Sequence, residues 1–168
     1  MNSQLVLNII RFVFLVLIQV LVCNNILLFD FVNPYPYIIF ILLYNIKTER
    51  WQFLLASFSI GLVLDMFQNT GGTHATACLV IAFIRPLVLQ TCFGLNYVHQ
   101  NLKLKNVDFK NLLLYVIIIC FTHHIILFSL EVFDLKHIQY TLLQTLFSGI
   151  FSIVIILISL SLFSNKKT

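Results

Sequence analysis

Six long apolar blocks, separated by short polar breaks, take up most of this chain and leave it few ways to fold. They cover residues 5–23, 35–46, 51–67, 73–91, 112–130 and 141–163. Within them the apolar residues show neither the alternation of a half-buried strand nor the narrow stripe of a soluble amphipathic helix, so the segments read as helices bathed in lipid. Composition agrees: 60% of the residues are apolar and 10% charged, against about 25% charged in an ordinary soluble domain. A water-soluble fold of 168 residues could not cover that much Leu, Ile, Val and Phe. The expected fold class is an all-α integral membrane protein of about six transmembrane helices, forming a single domain over residues 1–168.

Five blocks reach or approach the length of a span. The second does not: its 12 residues would rise only about 18 Å as a helix, against a hydrocarbon core of about 30 Å. Either residues 29–32 extend it, or it remains short, tilted or half-inserted. Just before it, Asn33-Pro34-Tyr35-Pro36-Tyr37 carries two prolines that forbid a continuous helix and two tyrosines suited to the headgroup level, which predicts a turn at an interface. Trp51, after Lys47, Glu49 and Arg50, marks a second interface, and Tyr97 and Tyr140 mark two others. The first block lacks a basic leader and a small-residue cleavage site, and reads as a signal anchor.

Basic residues outside the blocks set the expected orientation. Lys47 and Arg50 follow block two, Lys103, Lys105 and Lys110 follow block four, and Lys166 and Lys167 follow block six. The opposite side receives Asp30, the turn 69–72, and Glu131, Asp134 and Lys136. By the positive-inside rule both termini are cytoplasmic. Cys23, Cys78, Cys92 and Cys120 are scattered without metal-ligand spacing and read as small buried apolar residues.

Polar groups inside spans are costly and tend to face a bundle interior or a cavity. Asp65 ends block three, and helical steps back from it lead to Gly61 and Ser57, a small-residue stripe that lets another helix approach closely. Its carboxylate either ties together the turn holding Asn69, Thr70, Gly71, Gly72 and Thr73 or meets a partner or ligand. In block four, His74, Cys78, Ile81 and Arg85 share a face; Arg85 is close enough to the block's end to snorkel, and Pro86 favours a kink. Arg11 has a similar depth, and Asn8 and Gln19 on its face suggest a polar seam against another helix. His123 and His124 point about 100° apart on a helix, which suits hydrogen bonding or packing better than a shared metal. Thr141, Gln144, Ser148, Ser152 and Ser159 read as a packing seam on block six.

Soluble-type chemistry has no foothold: there is no Walker loop, GxGxxG, HExxH or GxSxG, and no span holds a pair of carboxylates. The expectation is a non-enzyme without cofactor or metal. Nucleic-acid binding is excluded, because the basic residues are spread over three short segments and suit anionic lipid headgroups.

The run Gly61-Leu62-Val63-Leu64-Asp65, then Gly71-Gly72, then Ala75, Ala77 and Ala82, resembles the rod shape-determining protein MreD family. So do the amino-terminal anchor with its Asn33-Pro34 turn, the brief second block and the Arg85-Pro86 step. The resemblance implies a multi-pass protein of the bacterial inner membrane that regulates cell shape within the elongation machinery for peptidoglycan biosynthesis. It implies partnership with MreC and, through the complex, with MreB, RodA and a class B penicillin-binding protein. It also implies an architecture similar to the substrate-binding membrane component of energy-coupling-factor transporters. The matching positions are Gly61, Asp65 and Gly71 or Gly72, with no catalytic residue to carry over.

Two functions are thus expected to compete. One is a scaffold whose face at Ser57, Gly61, Asp65, Gly71, Gly72, His74 and Arg85 makes a structural or partner-contact motif for a partner's membrane helix. The other is a transporter or small-ligand-binding subunit with a cavity near Asp65, His74 and Gln144.

Overall fold

A computed structural model of the chain describes residues 3–26, 28, 32–95, 107–132 and 138–162. Six α-helices follow one another: α1 (Ser3–Leu21), α2 (Ile38–Leu43), α3 (Arg50–Gln68), α4 (Thr73–Phe93), α5 (Phe109–Val132) and α6 (Ile138–Leu162). A 3-10 turn at Cys23–Asn25 closes α1, and an isolated antiparallel bridge joins Leu28 to Val32. All of these helices except α2 are long and apolar enough to cross a membrane. Large apolar side chains cover their outer faces, among them Ile10, Phe14, Leu62, Met66, Phe83, Leu87, Leu142 and Phe147. Water would not tolerate such a surface, and it is consistent with a multi-pass membrane protein.

The long helices pack in chain order, α3 on α4, α4 on α5 and α5 on α6, with α1 against α3. Small residues set the closest approach. Gly61 of α3 lies so near α4 that a Cβ there would stand 2.5 Å from the Cα of Ala75 and from the carbonyl oxygen of His74. Small residues such as Ala75, Ala77, Cys78 and Ala82 fill the buried face of α4. On α5 the interior face is Tyr115, Val116, Ile119, Cys120, His123, His124, Leu127 and Phe128, a regular two-in-four pattern.

The second block departs from expectation. It makes no spanning helix: α2 has six residues, and Ile38 to Leu42 are buried inside the bundle. Tyr35 and Tyr37, expected at an interface, are core residues instead. The chain from Val32 to Asn45 runs along the bundle through its interior, extended at first and then helical. Its register against α6 shows the extended part: the Asn33 N–H donates to Ser148 Oγ at 3.3 Å and the Tyr35 N–H to Ser152 Oγ at 2.9 Å. Two residues of extended chain rise about 6.6 Å, close to the roughly 6 Å of the four-residue helical step from Ser148 to Ser152. Four extended residues, the Pro36–Tyr37 turn with the six residues of α2, and the Tyr44–Asn45 exit together rise about 30 Å, where the same stretch as one helix would rise about 21 Å. The shortfall noted in the sequence is thus made up by extended backbone, not by a longer helix.

Irregular backbone in an apolar bundle is tolerated only where protein groups satisfy it. Side chains from α1, α4 and α6 do so here. Gln19 Nε2 donates to the Pro34 carbonyl at 3.1 Å, Ser148 and Ser152 accept the N–H groups just named, and Arg85 takes the carbonyls at the far end.

Asp30, Lys103, Lys105, Asp134, Lys136, Lys166 and Lys167, on which part of the expected orientation rests, lie outside the described residues, as do Phe29, one of the residues that would extend block two, and Tyr97, expected at an interface. Lys47, Arg50 and Lys110 are described and exposed.

Candidate functional site

The polar residues of the interior form three groups along the bundle. The first is the corner between α3 and α4. Asn69 ends α3 in the left-handed conformation at φ 56°, and Gly71 and Gly72 follow at φ 66° and 100°. Glycine is the residue that holds such angles at least cost. The corner returns the chain so sharply that the start of α4 faces the last turns of α3. Asp65 then caps α4 from the neighbouring helix: Oδ1 accepts from the His74 N–H at 3.0 Å and from Thr70 Oγ1 at 2.5 Å, and Oδ2 accepts from the Ala75 N–H at 2.8 Å. A helix N-terminus offers unpaired N–H groups and the positive end of the helix dipole, which stabilise a carboxylate in an apolar setting. Asp65 therefore ties the turn, the first of the two roles weighed from the sequence.

The second group is a cluster of rings at mid-bundle. Tyr37, at the start of α2, places its hydroxyl 2.8 Å from His74 Nδ1 and 2.7 Å from His123 Nε2. Tyr35 packs its ring beside His74, His123, His124 and Phe128, with centroids 5.2 to 6.3 Å away. His124 turns elsewhere. Its Nδ1 donates to the Cys120 carbonyl at 2.7 Å, which can only accept, so in the neutral ring Nε2 accepts from Ser152 Oγ at 3.2 Å. Ser152 is thus used twice, accepting from Tyr35 and donating to His124. His74 Nε2 and His123 Nδ1 are buried and find no partner among the described residues.

The third group surrounds Arg85. Snorkelling does not occur: the guanidinium is buried and turned inward. Nε donates to the Tyr115 hydroxyl at 2.9 Å, Nη2 donates to the carbonyls of Leu42 at 3.1 Å and Tyr44 at 2.7 Å, and the plane lies 4.9 Å over the Phe53 ring. Leu42 and Tyr44 end α2, where a cation meets both the unpaired carbonyls and the negative end of the helix dipole. Helix α4 runs unbroken through Pro86.

The residues singled out from the sequence therefore divide. Asp65, Gly71, Gly72 and the His74 backbone build one corner; the His74 ring joins the mid-bundle cluster; Arg85 lies about 16 Å further along α4. Ser57 donates to the Phe53 carbonyl of its own helix. The stripe Ser57-Gly61-Asp65 is buried and, at Gly61 and Asp65, covered by α4 of the same chain, so a partner's helix has only the outward faces to meet. Gln144, expected beside Asp65 and His74, is half-buried on α6. Sequence reasoning missed Tyr37 and Tyr115, the hydroxyls that join the polar groups. Their signal was a tyrosine in an apolar block that also had to place its hydroxyl. The four cysteines are buried, as expected. Among the described residues no three His, Cys, Asp or Glu side chains converge as metal ligands would.

No family model, curated protein or solved structure matches this chain.

Proposed function

We propose that the chain is a non-enzymatic scaffold of the bacterial inner membrane, of the kind its resemblance to the MreD family implies. In that role it holds the membrane helix of a partner such as MreC and so links MreB to the peptidoglycan synthases that shape the cell. The observation that carries this reading is the use of its polar interior. Asp65, Arg85, Gln19, Ser148 and Ser152 are bonded to backbone groups of the same chain, while apolar side chains face outward along every long helix. Such a molecule offers neighbours a rigid apolar surface, on which a partner helix binds by close packing.

Crosslinking in living cells tests it, with single cysteines at the outward positions Leu62, Met66, Phe83 and Leu87 and at the inward positions Ser57 and Ala77. The scaffold reading expects a single-span partner, identified by mass spectrometry, captured from at least one outward face and from neither inward position. Capture from either inward position, or from no outward position, would refute it.

A second reading has one observation in its favour: the imidazole nitrogens of His74 and His123 that find no partner among the described residues suit a small-ligand-binding or transport subunit. A small molecule that co-purifies and is lost in His123→Phe would support it.

A further inference from the structure

A phenol hydroxyl has one proton to give, yet the Tyr37 hydroxyl lies between two imidazole nitrogens, His74 Nδ1 at 2.8 Å and His123 Nε2 at 2.7 Å. It can donate to only one of them. The other must carry its own proton and donate back to the phenol oxygen. With both rings uncharged, as an apolar interior demands, and the phenol proton given to one of them, this leaves two arrangements.

In the first, Tyr37 donates to His74 Nδ1. His74 then carries its proton on Nε2, while His123 donates through Nε2 and has a bare Nδ1. In the second, Tyr37 donates to His123 Nε2. His123 then carries its proton on Nδ1, while His74 donates through Nδ1 and has a bare Nε2. Either way one ring shows an N–H and the other a lone pair at its outer nitrogen. Those two outer nitrogens, His74 Nε2 and His123 Nδ1, are the buried atoms that find no partner among the described residues. Tyr37, His74 and His123 are all fully buried.

The two arrangements differ by the passage of one proton. We propose that Tyr37, His74 and His123 form a one-proton relay through the core, a function beyond the scaffold role and independent of it. A hydronium ion delivers a proton to His123 Nδ1 and is left as water. The Nε2 proton of that ring moves to the Tyr37 oxygen, the Tyr37 proton moves to His74 Nδ1, and the Nε2 proton of His74 leaves to a second water. One N–H bond forms and one breaks on each ring, one O–H bond forms and one breaks on the phenol, and neither resting arrangement holds a net charge. Passage in the other direction restores the first arrangement.

The surroundings keep the relay distinct from its neighbours. His124, whose ring centroid is 5.4 Å from that of His123, has its tautomer fixed by the Cys120 carbonyl and Ser152 and takes no part. The His74 backbone is clamped by Asp65, which holds the ring's attachment point still while protons move.

Nitrogen NMR of the full chain, labelled with 15N-histidine and reconstituted in lipid bilayers, tests this directly. The relay requires His74 and His123 each to populate both tautomers, as two sets of signals or one averaged set, exchanging together, while His124 gives one fixed N–H and one bare nitrogen. A wild-type spectrum in which His74 and His123 each sit in one fixed tautomer overturns the proposal. Tyr37→Phe removes the link; correlated exchange of the two rings should be lost in it, and its persistence in a folded Tyr37→Phe protein also overturns the proposal. If that variant fails to fold, the wild-type spectrum decides alone.

Discussion

Gly61→Ala is the most informative single change, because the space it needs is occupied by backbone. The added methyl would stand 2.5 Å from the Ala75 Cα and the His74 carbonyl oxygen, about 0.9 Å short of the 3.4 Å at which ordinary contact begins. Neither atom is the end of a flexible side chain, so α3 and α4 must part by most of that distance. Asp65 is one turn further along the same face. A shift of this size stretches its 2.8 Å bond from the Ala75 N–H beyond 3.5 Å, where it ceases to be a hydrogen bond. Overpacking costs about 1–3 kcal/mol, and loss of a hydrogen bond to a charged group about 1.5–3 kcal/mol. Alanine returns about 1 kcal/mol through its better helix propensity. The net expectation is a loss of about 3 kcal/mol, measured by reversible unfolding in bicelles. The two effects share one contact, so they should not add: Asp65→Asn should cost much less in the Gly61→Ala background than in the wild type. A Gly61→Ala protein within about 0.5 kcal/mol of wild type, or strict additivity with Asp65→Asn, would refute the reasoning.

Two further changes test the interior passage. Arg85→Lys keeps the charge but replaces a planar fork by a point donor that cannot serve Tyr115, Leu42 and Tyr44 together; thermal unfolding should show a loss of about 1–3 kcal/mol, whereas a snorkelling arginine would accept lysine freely. Ser152→Ala strips the acceptor from the Tyr35 N–H and the donor from His124, and should cost about 1–3 kcal/mol by the same assay. Ser148→Ala, which loses a longer bond of 3.3 Å in a less buried place, should cost less.

Much of the fold was legible because a hydrophobic block long enough to span has few alternatives. The boundaries of α3 and α4 follow from Arg50 and the Asn69–Gly72 corner, and the role of Asp65 follows from helical spacing plus a turn rich in N–H groups. The second block was not legible. Its apolar residues read the same whether they face lipid or the interior, and α5 shows why: Ile117, Ile118 and Ile125 outside its core face are as apolar as Ile119 and Leu127 within it. Hydrophobic periodicity distinguishes water from protein, not lipid from protein. What did signal the interior was the polar set. Gln19, Ser148, Ser152 and Arg85 looked like separate seams on separate helices, and only the path of residues 32–45 joins them. The two tyrosines were misplaced for the same reason, since an amphipathic ring suits a headgroup layer as well as a buried histidine pair.

The account stands on a short, partly extended segment passing through the interior of the bundle, out of reach of lipid. Solid-state NMR of the wild-type protein in bilayers, with magnetisation transferred from the lipid chains, measures this residue by residue. Ile38 to Leu42 should receive magnetisation from lipid as slowly as Ile119 and Cys120, and far more slowly than Leu62 and Met66. Transfer from lipid to Ile38, Ile39 and Ile41 as fast as to Leu62 would contradict it.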